Sequence, residues 1–190
     1  MAEGENLLEM TVPFGKRVSL ENMFLLGDFD VQVKGCECFL LPPSRQIGFG
    51  NTTAQGLSFY GGNLVYQTRL TTPAGTMRVQ VPRYRGAAVR VSLDGKPVGY
   101  VAYAPYTLTV EGVTAGEHEL TFTLLGSRVN TFGALHNSSA NVWFGPTIWY
   151  TGDLRKPDGT DAAAWSYEHV LAETGILSSP IVEIFEEEKN

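Results

Sequence analysis

Two stretches of this 190-residue chain combine aromatic with planar polar side chains. The longer holds Arg128, Asn130, Phe132, His136, Asn137, Asn141, Trp143, Phe144 and Trp149. An aromatic face stacks on the apolar C–H side of a sugar ring, and a guanidinium, carboxamide or imidazole bonds its hydroxyls in pairs. The stretch therefore reads as a sugar-recognition loop, with Arg128, Asn130, His136, Asn137, Trp143 and Trp149 as ligand-binding candidates. The competing reading is structural. The aromatics then fill one end of a core, and Arg and Asn tie a long loop down by bonding its backbone.

The shorter stretch is Trp165-Ser166-Tyr167-Glu168-His169. Glu168 is the best single candidate for a general acid or base, because Trp165 beside it would exclude water and raise its pKa. Glycoside hydrolysis needs two opposed carboxylates. The other acids weighed for that part, Asp28, Asp94, Asp153, Asp158 and Asp161, all stand in turn-like contexts. No residue is assigned a catalytic role. His118 sits between two glutamates and reads as a solvated turn residue. The three histidines have no metal-ligand spacing. Cys36 and Cys38 are two apart on an extended segment, too constrained for a disulfide, and read as inert buried thiols. No cofactor is expected. The Gly61-Gly62 pair opens a strand rather than a helix, and no nucleophile elbow is present. Asn51-Thr52-Thr53 and Asn137-Ser138-Ser139 match the N-glycosylation pattern.

The elements that must position these residues are strands. Ala87, Val89, Val91 and Leu93 alternate with polar or small residues, the period of a strand with one buried face. Asp94-Gly95 follows and fits a tight hairpin, with a return strand from Lys96. Leu120, Phe122 and Leu124 alternate with Thr121 and Thr123 in a further half-buried strand. Segments 29–33, 36–41, 64–70, 76–81, 107–110 and 177–185 also read as strands. Leu7 to Val12 reads as the start of an edge strand, and Ala162 to Leu171 as room for a helical turn. Three tyrosines flank Pro105, so a strand must end or bulge there. About ten short strands at sandwich spacing give an all-β, antiparallel β-sandwich of jelly-roll type. One domain spans 1–190, with 1–55 an N-terminal extension and 186–190 a frayed acidic tail.

Composition narrows the partners. The net charge is −6 and no basic run occurs, so nucleic acid is not an expected partner. No apolar run reaches the length that crosses a bilayer, so no membrane is expected. The first residues are acidic and carry no apolar run of a secretory signal.

The string from Gly86 to Gly99, with Ala104-Pro105-Tyr106-Thr107-Leu108 and Gly116 to Leu124, resembles the galactose-binding-like jelly-roll domains of bacterial glycoside hydrolases. More narrowly, Gln55 to Asn63, Gly126 to Gly133, Leu135 to Asn137 and Trp165 to Glu168 are similar to the C-terminal region of large glycosidase-like proteins, rhamnosidase-type among them. The resemblance spans about Leu20 to Glu183. In such proteins the catalytic carboxylates lie in a separate, larger domain. It therefore implies a non-catalytic accessory domain whose partners are carbohydrate and the catalytic domain of a parent glycosidase. Relatives of this fold bind sugars, some bind calcium, and others only brace the catalytic domain. That bracing role is the main alternative here, and a free-standing hydrolase using Glu168 is the remote one.

Overall fold

The structure, a computed structural model, describes residues 4, 6–17, 24–44, 46–132, 135–136, 138 and 166–186. Asn137, Asn141, Trp143, Phe144, Trp149 and Trp165 lie outside the described residues, as does the acidic tail from 187.

The strands in chain order are β1 (Asp30–Lys34), β2 (Glu37–Leu41), β3 (Leu64–Thr72), β4 (Gly75–Gln80), β5 (Tyr84–Arg85), β6 (Ala88–Leu93), β7 (Lys96–Val101), β8 (Thr107–Val113), β9 (Gly116–Leu125), β10 (Gly175–Ile176) and β11 (Ile181–Glu186). A four-stranded sheet has the order β3-β9-β6-β7, and a three-stranded sheet the order β11-β4-β8. All their pairings are antiparallel. The chain is an all-β sandwich. Its core joins Tyr66, Val89, Val91, Val101, Leu120, Phe122 and Leu124 of the larger sheet to Met77, Val79 and Val113 of the smaller.

Periodicity explains this core. In β9 the buried set includes His118, Leu120, Phe122 and Leu124, every second residue. In β6 Val89 and Val91 are fully buried and Leu93 is half-buried. Side chains two apart share a sheet face, so this register puts one apolar row inside. Asp94 and Gly95 both take positive φ, 50° and 76°, as a two-residue hairpin turn requires.

His118 corrects the reading of a solvated turn residue. It lies in β9 in phase with the core and is only 8 % exposed. Its Nδ1 is 2.7 Å from Asp94 Oδ2 and its Nε2 is 2.9 Å from the Thr114 carbonyl oxygen. Both partners are acceptors, so both ring nitrogens donate and the ring is an imidazolium. The Asp94 hydrogen bond, and then the Thr114 carbonyl, raise the imidazole above its ordinary value near 6.5. The same bond, with the Glu119 N–H, holds the Asp94 carboxyl below its ordinary 3.8. The pair pins the β6–β7 turn to the β8–β9 turn.

The raised histidine contributes stability in full below about pH 6.5, and loses it as pH rises through the folded value. The lowered aspartate contributes above its ordinary value and loses that contribution as pH falls through the folded one. Melting temperature is therefore expected to fall as pH rises above 6.5. In Asp94→Asn, where asparagine still accepts the positive φ, that fall should be shallower. Thermal melts from pH 5 to 9 check this, and parallel curves would contradict it.

Three expectations near the N-terminus and the last segment are corrected. Leu7 to Val12 forms no strand, and its apolar side chains are exposed. No described strand lies beside it to complete a ladder. Cys36 and Cys38 are exposed rather than buried, because β1 and β2 form a separate hairpin whose second strand is exposed along its whole length. Of the segment 162–171, residues 162–165 lie outside the described residues and 166–171 hold no helix. Their amides reach outward instead: Ser166 N–H to the His136 carbonyl, His169 N–H to Gly35 and Val170 N–H to Leu135. The aromatic turn behaves as its proline demands. β7 stops at Val101, and Ala104–Pro105 is a cis peptide bond.

Candidate functional site

Three of the six candidate binding residues can be placed. Arg128 is exposed in the loop after β9, just before the helical turn Val129–Phe132. Its stem runs beside Gly61, where an added Cβ would come within 3.1 Å of the Arg128 Cγ. Asn130 is 3 % exposed. Its Nδ2 donates to the Ala172 carbonyl at 2.9 Å, and its Oδ1 accepts from the Ala172 N–H at 2.9 Å. The carboxamide thus pairs with the 171–174 segment as a neighbouring strand would. Thr131 Oγ1 donates to the Phe59 carbonyl, which fastens the same turn to a third segment.

His136 is half-buried, with Nδ1 3.1 Å from the Ser166 carbonyl oxygen. Its ring lies 4.8 Å from the ring of His169, tilted by 33°. Phe59 meets His169 edge-on at 5.8 Å. Burial, and then the neighbouring His136, pull the His169 imidazole below its ordinary value. Glu168 is exposed near the β1–β2 turn at Gly35. The structure thus brings Asn130 and His136 together with the 166–174 segment and leaves Arg128 at the rim. Asn51, of the first glycosylation pattern, is engaged in the fold. Its Oδ1 accepts from the Thr53 amide and hydroxyl and from the Thr174 amide.

Two clefts flank Arg85. One, of about 400 Å³, lies between Arg85–Ala87, the residues Gly126, Ser127 and Val129, and Ala172–Thr174. It adjoins the start of the polar–aromatic loop. The other, of about 280 Å³, is lined by Pro82–Ala87, Ala102 and Tyr106. Arg83 pairs with Glu173 at 3.1 Å. Tyr84 and Tyr106 meet edge-to-face at 5.8 Å, and the Tyr84 hydroxyl donates to the Val101 carbonyl. Segment 82–86 lies between strands and is too short to show a period, so this wall is hard to see in the sequence. The available signal was the alternation Arg83-Tyr84-Arg85 beside the three tyrosines around Pro105.

Among the described residues no three His, Cys, Asp or Glu side chains are grouped to hold a metal ion. No helix among them is long and apolar enough to cross a membrane.

No protein-family model and no curated protein matches the chain. Among solved structures, it is similar to a rhamnosidase from Novosphingobium sp. PP1Y, at 17 % identity and TM-score 0.44, over 87 % of this chain and 16 % of that one. It is also similar to a GH2 beta-galacturonidase from Eisenbergiella tayi bound to galacturonate, at 18 % identity and TM-score 0.40, over 84 % of this chain and 23 % of that one. A GH2 beta-galacturonidase from the same organism bound to glycerol gives 21 % identity and TM-score 0.34, over 50 % of this chain and 17 % of that one. The chain thus spans less than a quarter of the length of each protein. At these identities and TM-scores the likeness carries no functional argument.

Proposed function

We propose that this chain is a non-catalytic, carbohydrate-associated accessory module of a glycoside hydrolase, docked through its N-terminal hairpin on a larger catalytic body. The observation that carries this reading is the exposed apolar surface of that hairpin. Phe39, Leu40 and Leu41 follow one another along β2 and are 42 %, 44 % and 39 % exposed. Phe24, Leu25 and Leu26 are exposed as well. A two-stranded ribbon is marginal on its own, and here it exposes apolar side chains on both faces, Phe39 and Leu41 on one and Leu40 on the other, which favours a covering partner. Among the described residues, backbone hydrogen bonds tie the hairpin to the rest of the chain at Val31 N–H to the Gly56 carbonyl and His169 N–H to the Gly35 carbonyl, while Ser44 N–H to Asp30 Oδ2 closes the hairpin on itself. A covering body would complete it.

The carbohydrate half of the reading comes from the polar–aromatic loop and from the sequence resemblance. Arg128 is an exposed residue, while Asn130 pairs its carboxamide with the backbone of Ala172. Arg128, His136, Asn137, Trp143 and Trp149 remain the proposed contacts on this side. The experiment is titration of the intact chain with oligosaccharides chosen by a glycan array, followed by mass analysis of the recovered sugar. Reversible binding without cleavage is the expected result.

A further inference from the structure

We propose that the cleft lined by Arg83, Tyr84, Arg85, Ala102 and Tyr106 is a binding site for a single acidic sugar ring. The inference rests on the carbohydrate reading above and adds a place and a ligand charge to it.

Backbone conformation gives the first argument. Tyr106 takes φ 61°, a left-handed value that a non-glycine residue adopts only at a cost. The fold secures that conformation from several directions. The Tyr106 amide donates to the Tyr103 carbonyl at 2.8 Å, and its own carbonyl accepts from the Val81 amide at 3.0 Å. The ring sets its edge or face against Tyr84. Glycine or asparagine would hold such a turn at less cost. A strained residue that the surroundings over-determine points to a use for its side chain. Here the side chain is an aromatic wall of a cleft.

Charge gives the second argument. Arg83 is matched by Glu173. Arg85 is exposed, and its one side-chain hydrogen bond among the described residues is a long 3.4 Å contact to the carbonyl of Tyr84. The cleft therefore carries one positive charge in excess, on a planar fork of donors that fits a carboxylate in two-point fashion. Ring, fork and the neutralised Arg83 are the parts that recognise a sugar with a carboxylate substituent: a C–H face for the tyrosine, hydroxyls for Arg83, and an anion for Arg85. At about 280 Å³ the cleft is just below the usual size of drug-sized small-molecule sites, roughly 300–1,000 Å³, which suits one ring rather than a chain.

The test is calorimetric titration of the intact chain with a uronic acid and with the matching neutral hexose, glucuronate against glucose and galacturonate against galactose. The acid is expected to bind about tenfold more tightly than the neutral sugar. Arg85→Ala should weaken acid binding about tenfold and erase the preference. Tyr106→Asn keeps a residue that tolerates the left-handed turn and removes the ring; it should weaken both sugars about 2- to 10-fold. Arg69→Ala, an exposed arginine on β3 outside both clefts, should leave this binding unchanged. Binding that survives Arg85→Ala and Tyr106→Asn but is lost in Arg128→Ala overturns this site and leaves the carbohydrate reading standing. No saturable binding of either sugar, when the chain still binds an array-selected oligosaccharide, also overturns this site alone. No binding of any carbohydrate overturns both.

Discussion

Replacing Phe122 by alanine is expected to destabilise the protein by about 3–5 kcal/mol, the range for losing a well-packed buried aromatic. Phe122 is 2 % exposed, the largest of the fully buried side chains among the described residues. It lies near the middle of β9, which has a paired strand on each side. Its direct neighbours across the ladders are Tyr66 of β3 and Val91 of β6, both buried on the same face. Paired residues share a face, so the truncated ring leaves a void that three strands line. The surrounding sheet is held by hydrogen bonds on both edges of β9 and cannot collapse into that void. Phe185→Ala serves as the control, because its ring is half exposed on the outer strand β11 and rests against the Arg78 guanidinium. Urea unfolding of both variants separates the cases. A loss under about 1 kcal/mol for Phe122→Ala would show that the inward row of β9 is wrongly assigned.

Asn130→Ala carries the second large effect. The carboxamide satisfies both backbone groups of Ala172, a residue 42 positions away in the chain. Alanine at 130 leaves an N–H and a C=O without their partner and removes the clasp between the turn after β9 and the segment leading to β10. Ala172 is exposed, so water can meet the freed groups, and the expected cost is that of the lost hydrogen bonds, about 0.5–1.5 kcal/mol each. The melting temperature should therefore fall with no sugar present. If Asn130 served only a ligand, the variant would melt like the wild type until sugar was added. Melts of wild type and Asn130→Ala, with and without an array-selected oligosaccharide, tell these apart.

Much of the sandwich was legible because its signals are local. The alternation in 88–93 and 120–124 and the Asp94-Gly95 turn each specify a register within a few residues. His118 carried the same signal, since it is in phase with Leu120, Phe122 and Leu124. Its two flanking glutamates drew the reading toward solvent, and the acceptors that hold it are on the neighbouring turns, at Asp94 and Thr114. The thiols show the opposite failure. Alternation told which side Cys36 and Cys38 share, but not that nothing among the described residues covers β2.

The site was less legible, because long-range pairing assembles it. β5 and β10 have only two residues each, too few to show a period, yet their pairing places Tyr84 and Arg85 against Gly175 and Ile176. Tyr106 reaches the same cleft through a turn whose geometry no spacing rule encodes. Composition alone found the Arg128-to-Trp149 loop, and it could not say that Asn130 spends its carboxamide on the backbone.

The central claim, an accessory module that holds carbohydrate without cutting it, is tested most directly by one titration. The intact chain is titrated with an array-selected oligosaccharide, and the sugar is recovered and weighed by mass spectrometry. The account predicts a saturable isotherm and a sugar of unchanged mass. A shortened sugar whose formation stops in Glu168→Gln, or the absence of saturable binding to any glycan, would contradict it.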